Sequence, residues 1–349
     1  MDYQKYILPH IWDLKPYSSA RDEFKGSEGV FLDANENPMG SATKESWNRY
    51  PDPLQHAIKL ELAKLKSCSS EQIFLGNGSD EAIDLLIRMT CKSAEHEIIL
   101  CPPTYGMYEV SASINDIKIQ RVNLTSKYQL DLSGIKKAIH EKTRLVFLCS
   151  PNNPTGNKLN RSDIYDLLNT YSQGFIVVDE AYIDFSDEPS FIHELNQFPQ
   201  LIVLQTLSKA YGLASLRLGM AFAHPSIIQL FNKIKPPYNI SGATQKIVLE
   251  ALSNQKFVGE SVHLILQEKN KLQNGLNEIK EVVEIFPSQA NFILVKFNKA
   301  QELFDYLISE KVITRNRSNV SLCEDSIRIT IGLAEENTYL VKKITDFYA

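Results

Sequence analysis

Short apolar runs recur along the first two-thirds of the chain: Ile73-Phe74-Leu75, Ile98-Ile99-Leu100, Leu145-Val146-Phe147-Leu148, Phe175-Ile176-Val177-Val178, Leu201-Ile202-Val203-Leu204 and Leu218-Gly219-Met220-Ala221-Phe222. None alternates with polar residues, so each predicts a strand covered on both faces. Helical spacing fills the stretches between them. It is clearest from Asp80 to Thr90 and from Asp163 to Thr170, the latter behind a Ser/Asp start signal. This alternation predicts an α/β fold of three layers with a mainly parallel sheet. After about residue 240 the texture changes. A long helical stretch near 243–280 leads to strand-like runs at Phe292–Phe297 and Ser326–Ile331, with a helix between them. That pattern predicts a smaller α+β C-terminal domain. The expected division is an N-terminal arm at 1–29, a large domain at 30–242 and a small domain at 243–349.

Bulk properties remove several classes of function. The 349 residues are 43% apolar and 23% charged, enough for a large buried core. A net charge of −5 gives no electrostatic basis for binding nucleic acid. The five cysteines (Cys68, Cys91, Cys101, Cys149, Cys323) have no CxxC spacing and are expected as reduced thiols. Seven dispersed histidines predict no metal site. No run approaches the ~18 apolar residues of a membrane span, and no signal-peptide core follows the first residues. The expected location is the cytoplasm.

Four segments carry chemistry, each at the carboxyl end of a predicted strand, where α/β folds place ligands. In Gln205-Thr206-Leu207-Ser208-Lys209 a lysine follows a buried strand, and desolvation there can free its ε-amine to attack an aldehyde. Thr206, Ser208 and the later Arg217 can hold a phosphate. In Val177-Val178-Asp179-Glu180-Ala181-Tyr182 the aspartate can pair with a pyridinium nitrogen or serve only as a helix cap. A Walker B aspartate would require a GxxxxGK[ST] loop, which the chain lacks. Ser150-Pro151-Asn152-Asn153-Pro154-Thr155-Gly156 is a rigid turn that can aim Asn153 at a phenolic oxygen. Gly76-Asn77-Gly78-Ser79-Asp80-Glu81 presents backbone N–H groups at a helix start, a ready anion site. Any one of these segments has an ordinary structural explanation. Together they supply a covalent anchor, a ring-nitrogen partner, a phenolate donor and a phosphate cup for one ligand.

With these residues in place, the sequence resembles the fold type I, class II aminotransferases that depend on pyridoxal 5'-phosphate (PLP). Within them it is similar to the branch that acts on histidinol phosphate. The resemblance runs from Leu14-Lys15-Pro16-Tyr17 to Ile327-Arg328-Ile329-Thr330-Ile331-Gly332. Its narrower signatures are Leu32-Asp33-Ala34-Asn35-Glu36-Asn37-Pro38 and Tyr50-Pro51-Asp52-Pro53.

The resemblance implies catalytic roles for Lys209, Asp179 and Tyr105. Lys209 would take the cofactor as a Schiff base and shuttle the proton, Asp179 would pair with the ring nitrogen, and Tyr105 would stack on the ring. It implies that Ser79, Asp80, Thr206, Ser208 and Arg217 hold the cofactor phosphate, and that Asn153 and Tyr182 hold the phenolic oxygen. Tyr50 would reach the cofactor of a neighbouring subunit, which implies a homodimer with shared active sites. Tyr17, Asn35, Arg315 and Arg328 would contact substrate, with Arg317 close enough to leave the choice between it and Arg315 open. The implied substrates are a phosphorylated amine and a 2-oxo acid. A threonine-phosphate decarboxylase and a broad or aromatic aminotransferase share the fold and stay open as alternatives. A PLP-responsive transcription factor would need a DNA-binding module that about 29 N-terminal residues do not provide.

Overall fold

The computed structural model describes residues 1–16 and 29–349. Its large sheet has seven strands: β1 (Ile73–Asn77), β2 (Glu97–Leu100), β3 (Lys118–Arg121), β4 (Thr143–Cys149), β5 (Phe175–Asp179), β6 (Leu201–Thr206) and β7 (Leu218–Phe222). They lie in the order β1-β7-β6-β5-β4-β2-β3. All neighbouring pairs from β6 to β3 are parallel, and β7 runs antiparallel to both β6 and β1. The reversal follows from chain length. Residues 207–217 are too few for a crossover helix, so β7 must return beside β6. The C-terminal ends of β1, β4, β5 and β6 therefore meet the start of β7 along one edge, which brings the four chemical segments together.

The apolar runs behave as their lack of alternation predicts. Leu145, Phe147, Phe175, Val177, Ile202 and Leu204 pack into a core on one face, and Val146, Leu148, Ile176, Val178, Leu201 and Val203 into a core on the other. Each fully buried Leu, Ile or Phe contributes about 1.5–3 kcal/mol. In the large sheet only β3, Lys-Ile-Gln-Arg, escapes the sequence pattern. It is an edge strand with partly exposed side chains, so nothing requires it to be apolar.

Two helices, Gly242–Ser253 and Gln255–Asn277, occupy the stretch expected as one, with the break at Asn254. Beyond them a four-stranded antiparallel sheet has the order β10-β11-β9-β8, made of β8 (Val282–Ile285), β9 (Phe292–Phe297), β10 (Arg315–Asn316) and β11 (Ser326–Thr330). Ile293, Val295, Phe297, Ile327 and Ile329 pack against helical Leu303, Leu307, Leu340 and Ile344 as a separate core. No helix among the described residues is long and apolar enough to cross a membrane.

One contact sets the geometry at the sheet edge. The helix Gly78–Thr90 starts directly from β1, and its first turn lies against Gly219 of β7. A Cβ on Gly219 would sit 2.1 Å from the Ser79 nitrogen, so only glycine lets the strand and helix start approach this closely. Gly219→Ala is expected to cost about 1–3 kcal/mol through overpacking. Chemical denaturation of the apoprotein checks this, and an unchanged midpoint would contradict it.

Candidate active site

A cavity of about 750 Å³ opens where the strand ends face the small sheet, and Lys209, Asp179, Tyr105, Asn153, Tyr182 and Arg328 all line it. Lys209 lies three residues beyond β6, with its Nζ 5.6 Å from the centre of the Tyr182 ring. Burial pushes its ε-amine below the usual lysine range, and the Arg328 charge pushes the same way. Asp179, the last residue of β5, is only 2% exposed. Its Oδ1 accepts from the Ala181 N–H at 3.0 Å and its Oδ2 from the Tyr108 hydroxyl at 2.6 Å. Desolvation lifts its carboxyl to about 6, while those two hydrogen bonds restrain the rise.

Next to these groups lies an anion cup. Ser79 and Asp80 stand in the first turn of the helix Gly78–Thr90, whose orphan N–H groups and dipole favour negative charge. Asn239 and Glu81 brace the turn: the Asn239 amide donates to the Leu75 carbonyl at 2.9 Å, and Glu81 accepts from the Asn77 N–H at 2.5 Å. Thr206 donates to the Ser208 hydroxyl at 2.9 Å. Arg217 Nη2 lies 3.5 Å from Asp80 Oδ2. Arg217 is in the left-handed region at φ +54°, a strain of order 1–3 kcal/mol that here aims the guanidinium at the helix start. A Cβ on Gly78 would lie 2.7 Å from Arg217 Nη2, so the guanidinium fits over the turn because residue 78 has no side chain.

On the opposite wall Asn153, 8% exposed, accepts from Arg328 Nη1 at 2.5 Å and has its amide 3.5 Å from the Tyr182 hydroxyl. Tyr182 packs edge-on against Phe292 at 5.1 Å. Tyr105 donates to Asp80 Oδ1 at 3.1 Å, which holds its ring at the cavity wall. Burial raises the phenols of Tyr105 and Tyr182 above the usual range, so both remain hydrogen-bond donors.

The small sheet contributes a concentrated positive charge. Arg315 and Arg328 are directly opposed across β10 and β11, so their side chains leave the same face of the sheet. Arg317, two residues further on, continues the ladder through its N–H to the Ser326 carbonyl at 2.8 Å and shares that face. All three line the cavity. Among the described residues none forms an ion pair with a carboxylate, and the Arg317 Nε is buried without a partner. Burial, and after it repulsion from the neighbouring arginines, pushes the pKa values of Arg317 and Arg328 below the usual arginine range.

The structure thus gathers Ser79, Asp80, Tyr105, Asn153, Asp179, Tyr182, Thr206, Ser208, Lys209, Arg217, Arg315 and Arg328 around one space. It adds Arg317, whose place the sequence left undecided; Tyr108, which no motif marks, lies buried behind the cavity wall against Asp179. Asn35 and Tyr50 do not line the chain's own cavity. Asn35 is exposed at φ +55°, and Tyr50 is 49% exposed and stacked on Tyr238 at 4.5 Å. Their expected contacts are therefore not made within a single chain. Tyr17 lies outside the described residues.

A lysine, a buried aspartate and an anion cup at one sheet edge define an enzyme that works on amines through an aldehyde cofactor. The chain belongs to the aminotransferase class I and II family, whose sequence pattern matches residues 25–344. It is 52% identical over 335 residues to the histidinol-phosphate aminotransferase of Cytophaga hutchinsonii, covering 96% of each chain. It is 49% identical over 340 residues to that of Parabacteroides distasonis, covering 97% of each. Among solved structures it is similar to the histidinol-phosphate aminotransferase of Sinorhizobium meliloti in complex with pyridoxal-5'-phosphate. There the TM-score is 0.79 at 24% identity, covering 90% of each chain. The L-threonine-O-3-phosphate decarboxylase of Porphyromonas gingivalis shares the fold, with a TM-score of 0.73 at 23% identity, covering 86% of this chain and 91% of that one. The cofactor of this chain is PLP, and the site fits it. The glycine-lined helix start and Arg217 suit a phosphate, and Asp179 suits a protonated ring nitrogen.

The raised Asp179 pKa has a consequence for the apoprotein. An acid whose folded-state value lies above its unfolded value of about 3.9 favours the folded state while protonated and opposes it once ionised. Stability therefore falls as pH rises from about 4 to 6. Asp179→Asn, which cannot ionise, is expected to stabilise the apoprotein by ~2–3 kcal/mol at pH 7.5 and by little at pH 4. Thermal melts at the two pH values check this, and a gain that does not depend on pH would contradict it.

Proposed function

We infer that this aminotransferase exchanges an amine between histidinol phosphate and 2-oxoglutarate, giving imidazole-acetol phosphate and glutamate in histidine biosynthesis. The observation that carries the reading is the charge balance of the cavity. Among the described residues lining the cavity, Lys209, Arg217, Arg315, Arg317 and Arg328 face only the two carboxylates Asp80 and Asp179. The phosphate of PLP offsets part of that surplus, and the arginines of the small sheet remain for an anionic substrate. Guanidinium forks match phosphate and carboxylate alike, so one group of arginines can serve both substrates of a two-stage exchange.

When bound, PLP supplies the aldehyde that accepts an amine and the ring that disperses the charge left on the substrate carbon. Asp179 would keep that ring's nitrogen protonated. Asn153 and Tyr182 would donate to its phenolic oxygen, and Tyr105 would cover its face. Ser79, Thr206, Ser208, Arg217 and the N–H of Asp80 would hold the phosphate. Lys209 would hold the cofactor covalently and, once the incoming amine has displaced it, its free ε-amine would take the proton from the substrate Cα. Its lowered pKa enlarges the neutral fraction near pH 7. Acid–base help of this kind is worth on the order of 10²–10⁴ in rate.

The large unit ends near residue 242, and the unit from 243 onward carries the arginines. Two copies form a homodimer in which Tyr50 reaches the neighbouring copy's cofactor. Supporting this, Val30, Leu32 and Met39 are 88–91% exposed in the single chain, an apolar surface beside Tyr50 in sequence that suits a protein contact. Asn35 in the same segment, and Tyr17, would meet the substrate of one of the two sites. The cytoplasm is the expected compartment.

A panel of amine donors with 2-oxoglutarate tests the substrate. Glutamate should form from histidinol phosphate, whereas release of carbon dioxide from threonine phosphate without amine exchange would overturn the reading. Arg328→Leu and Arg317→Leu should each lower kcat/KM for histidinol phosphate by roughly 10- to 100-fold, the loss of one charge-assisted hydrogen bond. Steady-state kinetics at fixed ionic strength read this, and an unaffected Arg317→Leu enzyme would remove that residue from the substrate site.

A further inference from the structure

Tyr108 lies on the helix Met107–Ile114, three residues after Tyr105, and has no solvent exposure. Its ring stacks on Phe147 of β4 with 4.8 Å between centroids and meets the Tyr105 ring edge-on at 5.5 Å. Its hydroxyl donates to Asp179 Oδ2 at 2.6 Å. We propose that Tyr108 is a positioning residue for the reaction, whose hydroxyl keeps Asp179 ionised and turned toward the ring nitrogen of the cofactor. The proposal rests on the pairing of Asp179 with that nitrogen and is independent of which amine donor is the substrate.

A carboxylate with no water around it needs donors, and a charge-assisted hydrogen bond is among the strongest available. The aromatic stack fixes the Tyr108 ring before the bond forms, so little entropy is lost in holding the hydroxyl in place. Burial raises the Tyr108 phenol well above its ordinary value, so the shared proton stays on the tyrosine and the charge on the aspartate. The other charged or titratable groups facing Asp179 are Lys209, Asp80, Tyr105, Tyr182 and Cys149. Lys209 favours the ionised carboxylate and Asp80 opposes it. The two tyrosines and the cysteine stay protonated, and Cys149 directs its Sγ to the Pro151 carbonyl. Besides Tyr108, the hydrogen-bond donor to Asp179 is the Ala181 N–H. Without the Tyr108 hydroxyl the carboxylate keeps that single donor, and its pKa rises further.

The signature is a loss of cofactor affinity that depends on pH. Pyridoxamine 5'-phosphate is the probe, because it carries the same ring and phosphate but forms no covalent bond to Lys209. Its dissociation constant for the apoprotein is read by tyrosine and tryptophan fluorescence at pH 6.0 and 8.5. Tyr108→Phe should bind about fivefold more weakly than the unaltered protein at pH 6.0, where a rise of about one unit from about 6 cuts the ionised fraction of Asp179 from about one half to about one tenth. At pH 8.5, where the carboxylate is ionised in both proteins, the two should agree within about twofold. Asp179→Asn should bind weakly at both pH values, and adding Tyr108→Phe should change it no further. Phe147→Leu disturbs the stack but keeps the hydroxyl, so its deficit should not vary with pH. A Tyr108→Phe deficit equal at both pH values would leave Tyr108 a packing residue only. No deficit at either pH, or a further loss in the Asp179→Asn background, would equally overturn the proposal.

Discussion

Burial of a carboxylate and, in part, of an amine at one cavity governs everything else in this fold. Strands β5 and β6 are apolar on both faces, which lets them run through the middle of the fold and end at the cavity. Asp179 and Lys209 lie at or just past those ends, so the burial that stabilises the strands also desolvates the two groups. Desolvation moves their proton affinities toward each other, the aspartate upward and the lysine downward. A surface pair would keep ordinary values and would be poorly suited to hold a ring nitrogen and attack an aldehyde.

The same crevice is electrostatically unfinished. Opposed arginines on neighbouring strands repel, and in a sheet evolved for stability alone they would face carboxylates. Here Arg315, Arg317 and Arg328 have none among the described residues, and the Arg317 Nε lacks even a neutral partner. The strain at Arg217 and the close approach at Gly219 are further local costs concentrated at the same edge. The repulsion among the arginines is relieved when an anion arrives, so ligand binding and stability are coupled through those residues.

Much of this was legible in the chain because the informative residues follow the strands directly. An apolar run ending in Asp179, and another followed by Thr206, Ser208 and Lys209, specify both an element and what its end carries. Other features depend on tertiary register. Arg315 and Arg317 share a face through the two-residue period of a strand, and only the pairing of β10 with β11 shows that both face the cavity. Tyr108 resembles any buried aromatic on an amphipathic helix, and its hydrogen bond forms across 71 residues of sequence. The break at Asn254 interrupts a pattern that stays amphipathic on both sides of it, so periodicity alone cannot reveal it. Tyr50 and Asn35 have signatures in sequence but do not line the cavity of a single chain.

Arg315, Arg317 and Arg328, without a carboxylate partner among the described residues, leave the cavity able to take an anionic group on the substrate. The most direct measurement compares kcat/KM for histidinol phosphate with that for histidinol, which differs only in lacking the phosphate. Two or more charge-assisted contacts of ~1.5–3 kcal/mol each predict a preference of at least about 10² for the phosphorylated amine. Comparable values for the two would contradict the account.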